Sequence, residues 1–127
     1  MNAGEHIKYT DSDEIFNVIP LASFWMELNN KERAKETLLL AEKNTKPDFF
    51  EMKLLSQAFR ENLGDIESAK RFLRRAELLA DYNLEYQDEK LERYEEILNE
   101  WKEIGDNEQL ERFNIQFNIV AKDIRGN

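Results

Sequence analysis

The sequence predicts an all-α protein in which three antiparallel helical hairpins lie side by side. Three observations carry that expectation. A turn signal occurs three times, as Leu28-Asn29-Asn30, Leu63-Gly64-Asp65 and Ile104-Gly105-Asp106, at spacings of 35 and 41 residues. Glycine, and asparagine next after it, takes the left-handed backbone that closes a helix, and the residue that follows can cap the amides of the next one. After each signal come apolar residues at helical spacing: Ala34, Leu38 and Ala41; then Ala69, Leu73, Ala76 and Ala80; then Leu110, Phe113 and Phe117. Alanine on a contact face lets another backbone come close, so these stripes expect packed partner helices. Finally, 127 residues contain only two prolines and four glycines, which permits long helices. A repeat near 34 residues is the mark of stacked hairpins.

Residues 1–10 carry no helical pattern and are expected to be a flexible N-terminus, leaving 11–127 as one domain. Asp11-Ser12-Asp13-Glu14 offers a cap and first-turn negative charge, so a helix should start there. The same run superficially resembles a calcium loop but lacks the later glycine and distal glutamate such a loop needs. From Ile15 to Leu28 the apolar residues wrap most of the way around the first helix, and Pro20 should kink it or split it in two. A helix apolar on several sides is usually buried on several sides. The second helix runs over 31–44 and stops at the linker before Pro47, which suits the first turn of the next. The third covers 48–63 with Phe49, Met52, Leu55 and Phe59 facing inward, and the fourth covers 65–80. A break at 81–83 precedes a long fifth helix, about 85–104, striped by Leu91, Tyr94, Ile97, Leu98 and Trp101. The wider second spacing leaves six residues to be absorbed, as extra helical turns or as a longer loop.

The sixth element, about 106–124, is ambiguous by pattern. Phe113, Ile115, Phe117 and Ile119 alternate with polar Asn114, Gln116 and Asn118, which is the period of a strand. A helix works too, with Phe113, Phe117, Val120 and Ile124 on one face and Ile115 and Ile119 opposite. The Ile-Gly-Asp signal before it decides for helix.

Charge and composition exclude several functions. The net charge of −9 argues against nucleic acid as a partner. No cysteine is present, so disulfides and thiol chemistry are absent. No stretch approaches a membrane span and the first residues have no apolar signal-peptide core, so a cytoplasmic location is the expectation. The one histidine, His6, cannot build a catalytic triad, a zinc motif or a di-iron pair. No glycine-rich phosphate loop occurs. A non-enzymatic protein without metal or cofactor is expected.

These residues resemble tetratricopeptide repeats. The third hairpin is similar to that family's first-helix signature at Tyr94, Ile97, Leu98 and Trp101, although Leu110 and Phe117 stand where alanines belong. The second resembles it at Ala58, Phe59, Gly64, Ala69, Leu73 and Ala76, with one extra residue before Gly64. The first is similar at Phe24, Trp25, Ala34, Leu38 and Ala41, followed by Pro47. The resemblance implies a right-handed α-solenoid whose first helices line a concave groove for a peptide or partner helix. Some members grip a C-terminal carboxylate there with lysine and asparagine. On this sequence Ser23 and Gln57 occupy expected asparagine positions, Asn99 matches, Lys53 supplies a positive charge, and the third hairpin contributes Glu92, Glu95 and Glu96. Those glutamates count against a carboxylate clamp. The groove candidates are Ser23, Lys53, Gln57, Arg60, Glu92, Glu95, Glu96, Asn99 and Lys102.

From Glu85 to Glu111 there are eleven acidic and three basic residues. Such a surface attracts a basic protein or peptide, although glutamate is also simply a good helix former. The cluster Lys70, Arg71, Arg74 and Arg75 is expected to pair within its helix, Glu67 with Arg71 and Arg74 toward Glu77, or with the acidic fifth helix. Trp25 and Trp101 read as core anchors. A second expectation is self-association as a homodimer, because terminal repeats normally present a polar outer face. Here the first helix (Ile15, Phe16, Ile19) and the last (Ile115, Ile119) carry apolar residues to spare.

Overall fold

The computed structural model describes residues 12–44, 48–82 and 84–125, with side chains from Pro20 onward apart from Asn44. Six helices follow in order: α1 Ser12–Glu27, α2 Lys31–Asn44, α3 Phe49–Ala58 running into a π-helical turn Phe59–Leu63, α4 Ile66–Leu79, α5 Gln87–Ile104 and α6 Asn107–Arg125. No strand occurs among the described residues. The alternating stretch 112–120 is therefore helical, with Phe113 buried and Ile115 and Ile119 exposed.

The three turn signals act alike. Asn29, Gly64 and Gly105 all take positive φ, at 62°, 63° and 83°. At the first, the Asn29 amide donates to the Met26 carbonyl and the Asn30 amide to that of Trp25, which closes α1. Next in line, Asn30, Asp65 and Asp106 each accept from the amide three residues on, at 3.2, 3.1 and 3.2 Å. Those bonds satisfy amides that a helix start leaves without partners. Asp48 caps α3 in the same way through the Glu51 amide. The turn residues thus both end one helix and launch another.

Contacts are most extensive within the pairs α1–α2, α3–α4 and α5–α6, and each pair also touches the next. The small stripes lie at these contacts: Ala34, Leu38, Ala41, Ala69, Leu73, Ala76 and Ala80 are all fully buried. Phe49, Met52, Leu55 and Phe59 of α3, and Tyr94, Ile97 and Trp101 of α5, fill the space between them.

Two details follow from chain length. The extra residue before Gly64 is taken up by the π-helical turn, whose cap amide, on Gly64, reaches back five residues to the Phe59 carbonyl. The six residues of excess before Gly105 are shared between a longer connection, 80–86 against 45–48, and a longer helix, 18 residues in α5. Pro20 does not split α1, which continues through it. Residues 1–10, expected to be flexible, and Asp11 of the expected helix start lie outside the described residues; α1 begins at Ser12, and the side chains of 12–19, with the rest of the calcium-like run and Ile15, Phe16 and Ile19, are not described. Pro47 and His6 are likewise outside the described residues.

The basic cluster of α4 does not pair as its sequence spacing suggests. Arg71 and Arg75 both reach Glu42 of α2, at 2.8 and 2.6 Å, and neither Glu67 nor α5 is Arg71's partner. Arg74 does not pair with Glu77, because Glu77 is turned to Arg112 at 2.7 Å. These bridges recur along the chain. Glu42 and Glu77 are 35 residues apart, Arg71 and Arg112 are 41 apart, and each arginine binds the preceding pair's glutamate. Lys35 and Lys70 repeat the device on the caps Asp65 and Asp106, at 4.0 and 3.0 Å. Within α4, Lys70 also lies 3.8 Å from Glu67, as pairing along the helix expects, whereas packing between elements selects the partners of Arg71 and Arg75.

Candidate functional site

The groove candidates separate into two groups. Lys53 on α3 bonds Glu96 on α5 at 2.9 Å. One turn along, the Gln57 amide donates to Glu100 at 2.8 Å, and Arg60 in the π-helical turn reaches the other Glu100 oxygen at 3.3 Å. Arg60 also lies 4.0 Å from Glu103. Ser23 accepts from Asn62 at 3.0 Å, which ties α1 to the π-helical turn. The members of this first group are consumed by one another: the cations that a carboxylate ligand would need are already neutralised. Glu100, buried and central to this ladder, was not among the sequence candidates, because a glutamate on an acidic helix reads as solvated surface.

Glu92, Glu95, Asn99 and Lys102 form the second group. All four are exposed on α5, and none has a partner among the described residues. Asp88, Glu108 and Glu111 are exposed nearby in the chain and are also without an ion-pair partner among the described residues. The acidic excess of 85–111 is therefore divided: Glu96, Glu100, Glu103 and Asp106 meet cations of α3, the π-helical turn and α4, Glu89 lies 3.9 Å from Arg93 on its own helix, and the rest face solvent.

Between α5 and α6 runs a cleft of about 390 Å³ lined by Leu98, Lys102, Asn107, Leu110, Glu111 and Asn114. Its cause is legible in the repeat register. Where the earlier pairs place Ala22 or Ser56 on the first helix and Ala34 or Ala69 on the second, the last pair places Leu98 and Leu110. Larger side chains at a helix contact favour a wider separation than two alanine faces allow.

Several polar groups nearby are structural. Glu77 accepts from the Trp101 indole and from Arg112, both at 2.7 Å, joining α4, α5 and α6. Arg93, buried, donates to the carbonyls of Ala80 and Tyr82 at the end of α4 and lies over the Phe49 and Phe50 rings. Burial, with its hydrogen bond to Asp81, pushes the Tyr94 hydroxyl up to about 12. The Gln109 amide, then Lys70, hold the Asp106 carboxyl below the ordinary range, and the bond to Asp106 raises the Lys70 ammonium. Burial works against Asp65, but its bonds from Ser68 and the charge of Lys35 lower it overall. No cluster of three or more metal-ligating side chains occurs among the described residues. No described helix is long and apolar enough to cross a membrane.

Comparison with protein-family models, with curated proteins and with solved structures finds no match for this chain.

Proposed function

We propose that the protein is a non-enzymatic interaction module, a right-handed stack of three antiparallel helical hairpins resembling tetratricopeptide repeats, which holds a peptide or a partner helix. The reading of the architecture is supported by the three left-handed turn residues, by the caps after them, and by the glutamate–arginine and lysine–aspartate bridges that recur from pair to pair. The reading of function rests on one observation above all. Glu92, Glu95, Asn99 and Lys102 stand exposed and unpartnered on α5 while their neighbours on the α3 side are all paired. A surface that retains unpaired polar groups, one of which, Lys102, lines the cleft between α5 and α6, suits recognition of another chain.

Panning a random peptide-display library against the immobilised protein tests this reading. A convergent motif, displaced by its free peptide, is the expected result. Absence of any enriched motif over several rounds would contradict it.

Self-association is the second reading, and a specific observation favours it. Leu21, Phe24 and Leu28 of α1 are 47%, 49% and 57% exposed. Their register equivalents Leu55, Ala58 and Leu63 are buried, because an earlier helix lies over them. Ile115 and Ile119 at the other end are 60% and 65% exposed. A symmetric dimer would cover one such face. Sedimentation velocity over a wide concentration range decides: a monomer throughout removes this reading, and a dimer dispersed by Phe24→Glu or Ile119→Asp supports it.

A further inference from the structure

Two apolar surfaces compete for the self-association reading, and the repeat register separates them. Ile115 and Ile119 of α6 occupy the positions of Arg74 and Leu78 on α4 and of Leu39 and Lys43 on α2, all of them exposed. That row faces outward in every helix pair, even where another pair lies alongside, so its exposure signals no missing neighbour. Leu21, Phe24 and Leu28 of α1 behave differently. Their equivalents are buried in the later pairs: Leu55, Ala58 and Leu63 in the second, Ile97 and Glu100 in the third. On α2, Leu40 and Glu36 stand at the positions of Arg75 and Arg71, which reach back to Glu42 of the preceding pair. Leu40 is exposed as well. The α1–α2 end thus presents one apolar face of Leu21, Phe24, Leu28 and Leu40, with Glu36 one turn from Leu40.

The chemistry of the two ends of the molecule fixes the occupant. Where one pair meets the next, the earlier supplies Lys35 or Lys70 to a cap carboxylate and Glu42 or Glu77 to an arginine. The α1–α2 end offers neither mate, since Asn30 stands at the cap and Glu36 at the arginine position. At the other end α6 carries Glu111, Asn114 and Asn118 where α4 has Lys70, Leu73 and Glu77. Head-to-tail association would therefore set an apolar face on a polar one. Charge leads to the same result. Residues 87–125 hold eleven acidic and six basic side chains, whereas 20–43 hold four of each. Two copies of a chain with net charge −9 repel where their acidic surfaces meet, and they approach without that penalty only at the balanced end.

We infer that this face is a homodimer interface, in which a two-fold axis lays Leu21, Phe24, Leu28 and Leu40 of one copy against the same residues of the other. This rests on the self-association reading above and names its surface and symmetry. Because one patch meets itself, the assembly closes at two copies, and the exposed polar groups of each α5 stay free.

Sedimentation velocity of the full chain over a wide concentration range tests it. A monomer–dimer equilibrium with no larger species is expected. Phe24→Glu should raise the dimer dissociation constant about a hundredfold or more, because both copies lose a buried ring and gain a charge at the same contact. Phe24→Ala/Leu28→Ala removes apolar surface without adding charge and should raise it about tenfold or more, with an unchanged far-ultraviolet circular dichroism spectrum showing that the fold is kept. Ile119→Asp, on the outward row, should change it less than about twofold. A dimer dispersed by Ile119→Asp and indifferent to both Phe24 variants would overturn this inference while leaving self-association standing, as would species that grow beyond two copies with concentration. A monomer at every concentration removes both.

Discussion

Glu77→Ala removes a side chain that links the last three helices. Glu77 lies on α4 with little exposed surface, and one of its oxygens receives both the Trp101 indole N–H and an Arg112 guanidinium N–H, each at 2.7 Å. Trp101 is fully buried, so its N–H has no ready replacement in water once the carboxylate is gone. An abandoned buried donor costs about 1–3 kcal/mol. The Arg112 pair adds no more than about 0.5–1 kcal/mol, because the arginine side chain is 39% exposed and solvent screens it. Alanine should therefore lower stability by about 2–4 kcal/mol, whereas Glu77→Gln, which keeps an acceptor for the indole and loses only the charge, should cost about 1 kcal/mol. Urea unfolding followed by tryptophan fluorescence and by far-ultraviolet circular dichroism measures both values. An alanine variant within about 0.5 kcal/mol of wild type, or a glutamine variant as damaged as alanine, would refute the assignment of Glu77 as the acceptor that holds Trp101.

Other outcomes follow from the same geometry. Arg93→Met keeps the side chain's bulk over Phe49 and Phe50 but loses the bonds to the Ala80 and Tyr82 carbonyls. It should cost about 2–4 kcal/mol in urea unfolding, and hydrogen exchange should accelerate first at the end of α4. Gly64→Ala and Gly105→Ala place a methyl where nothing lies within 4 Å, so the penalty is the left-handed backbone alone, about 1–2 kcal/mol each. Asn29→Gly should be neutral or slightly stabilising at the equivalent turn. Because Asp65 and Asp106 have folded-state values depressed below 3.8, their contribution is present above that pH and is lost as pH falls through the folded values. Asp65→Asn/Asp106→Asn, which keeps both side-chain cap acceptors but removes the charges, should flatten the acid limb of the stability–pH curve and lower stability at pH 7 by what that limb spans, bringing the variant level with the wild type at low pH.

Much of the helical framework is readable in the chain because its signals are local. A left-handed residue, a cap and an alanine stripe act within a few residues of one another, so Asn29-Asn30, Gly64-Asp65 and Gly105-Asp106 announce their roles without reference to the rest. The helix at 112–120 was resolvable only by the turn before it, since its own residues alternate like a strand. The partners of charged groups were not readable. Spacing offers Glu67 to Arg71, but Arg71 and Arg75 converge on Glu42, 29 and 33 residues away, once α2 and α4 are side by side. The extra residue before Gly64 was visible as a slip of register, while its absorption in a π-helical turn depends on helix packing. The roles of Arg93 and Glu100, and the true partners of Glu77, are hidden for one reason: in a chain 35% charged, nothing local separates a buried charge from a solvated one. The same blindness merged paired Lys53, Gln57, Arg60 and Glu96 with unpaired Glu92, Glu95, Asn99 and Lys102 into a single groove.

The account depends on successive helix pairs lying against one another, and nuclear Overhauser spectroscopy of the labelled protein in solution tests that most directly. Cross-peaks from the Trp101 indole proton to the Glu77 side chain, and from the Gln57 side-chain amide to Glu100, are expected, since each joins a residue of one pair to a residue of the next. Helical chemical shifts throughout with both sets of cross-peaks missing would mean that the pairs form but do not stack, and would contradict the account.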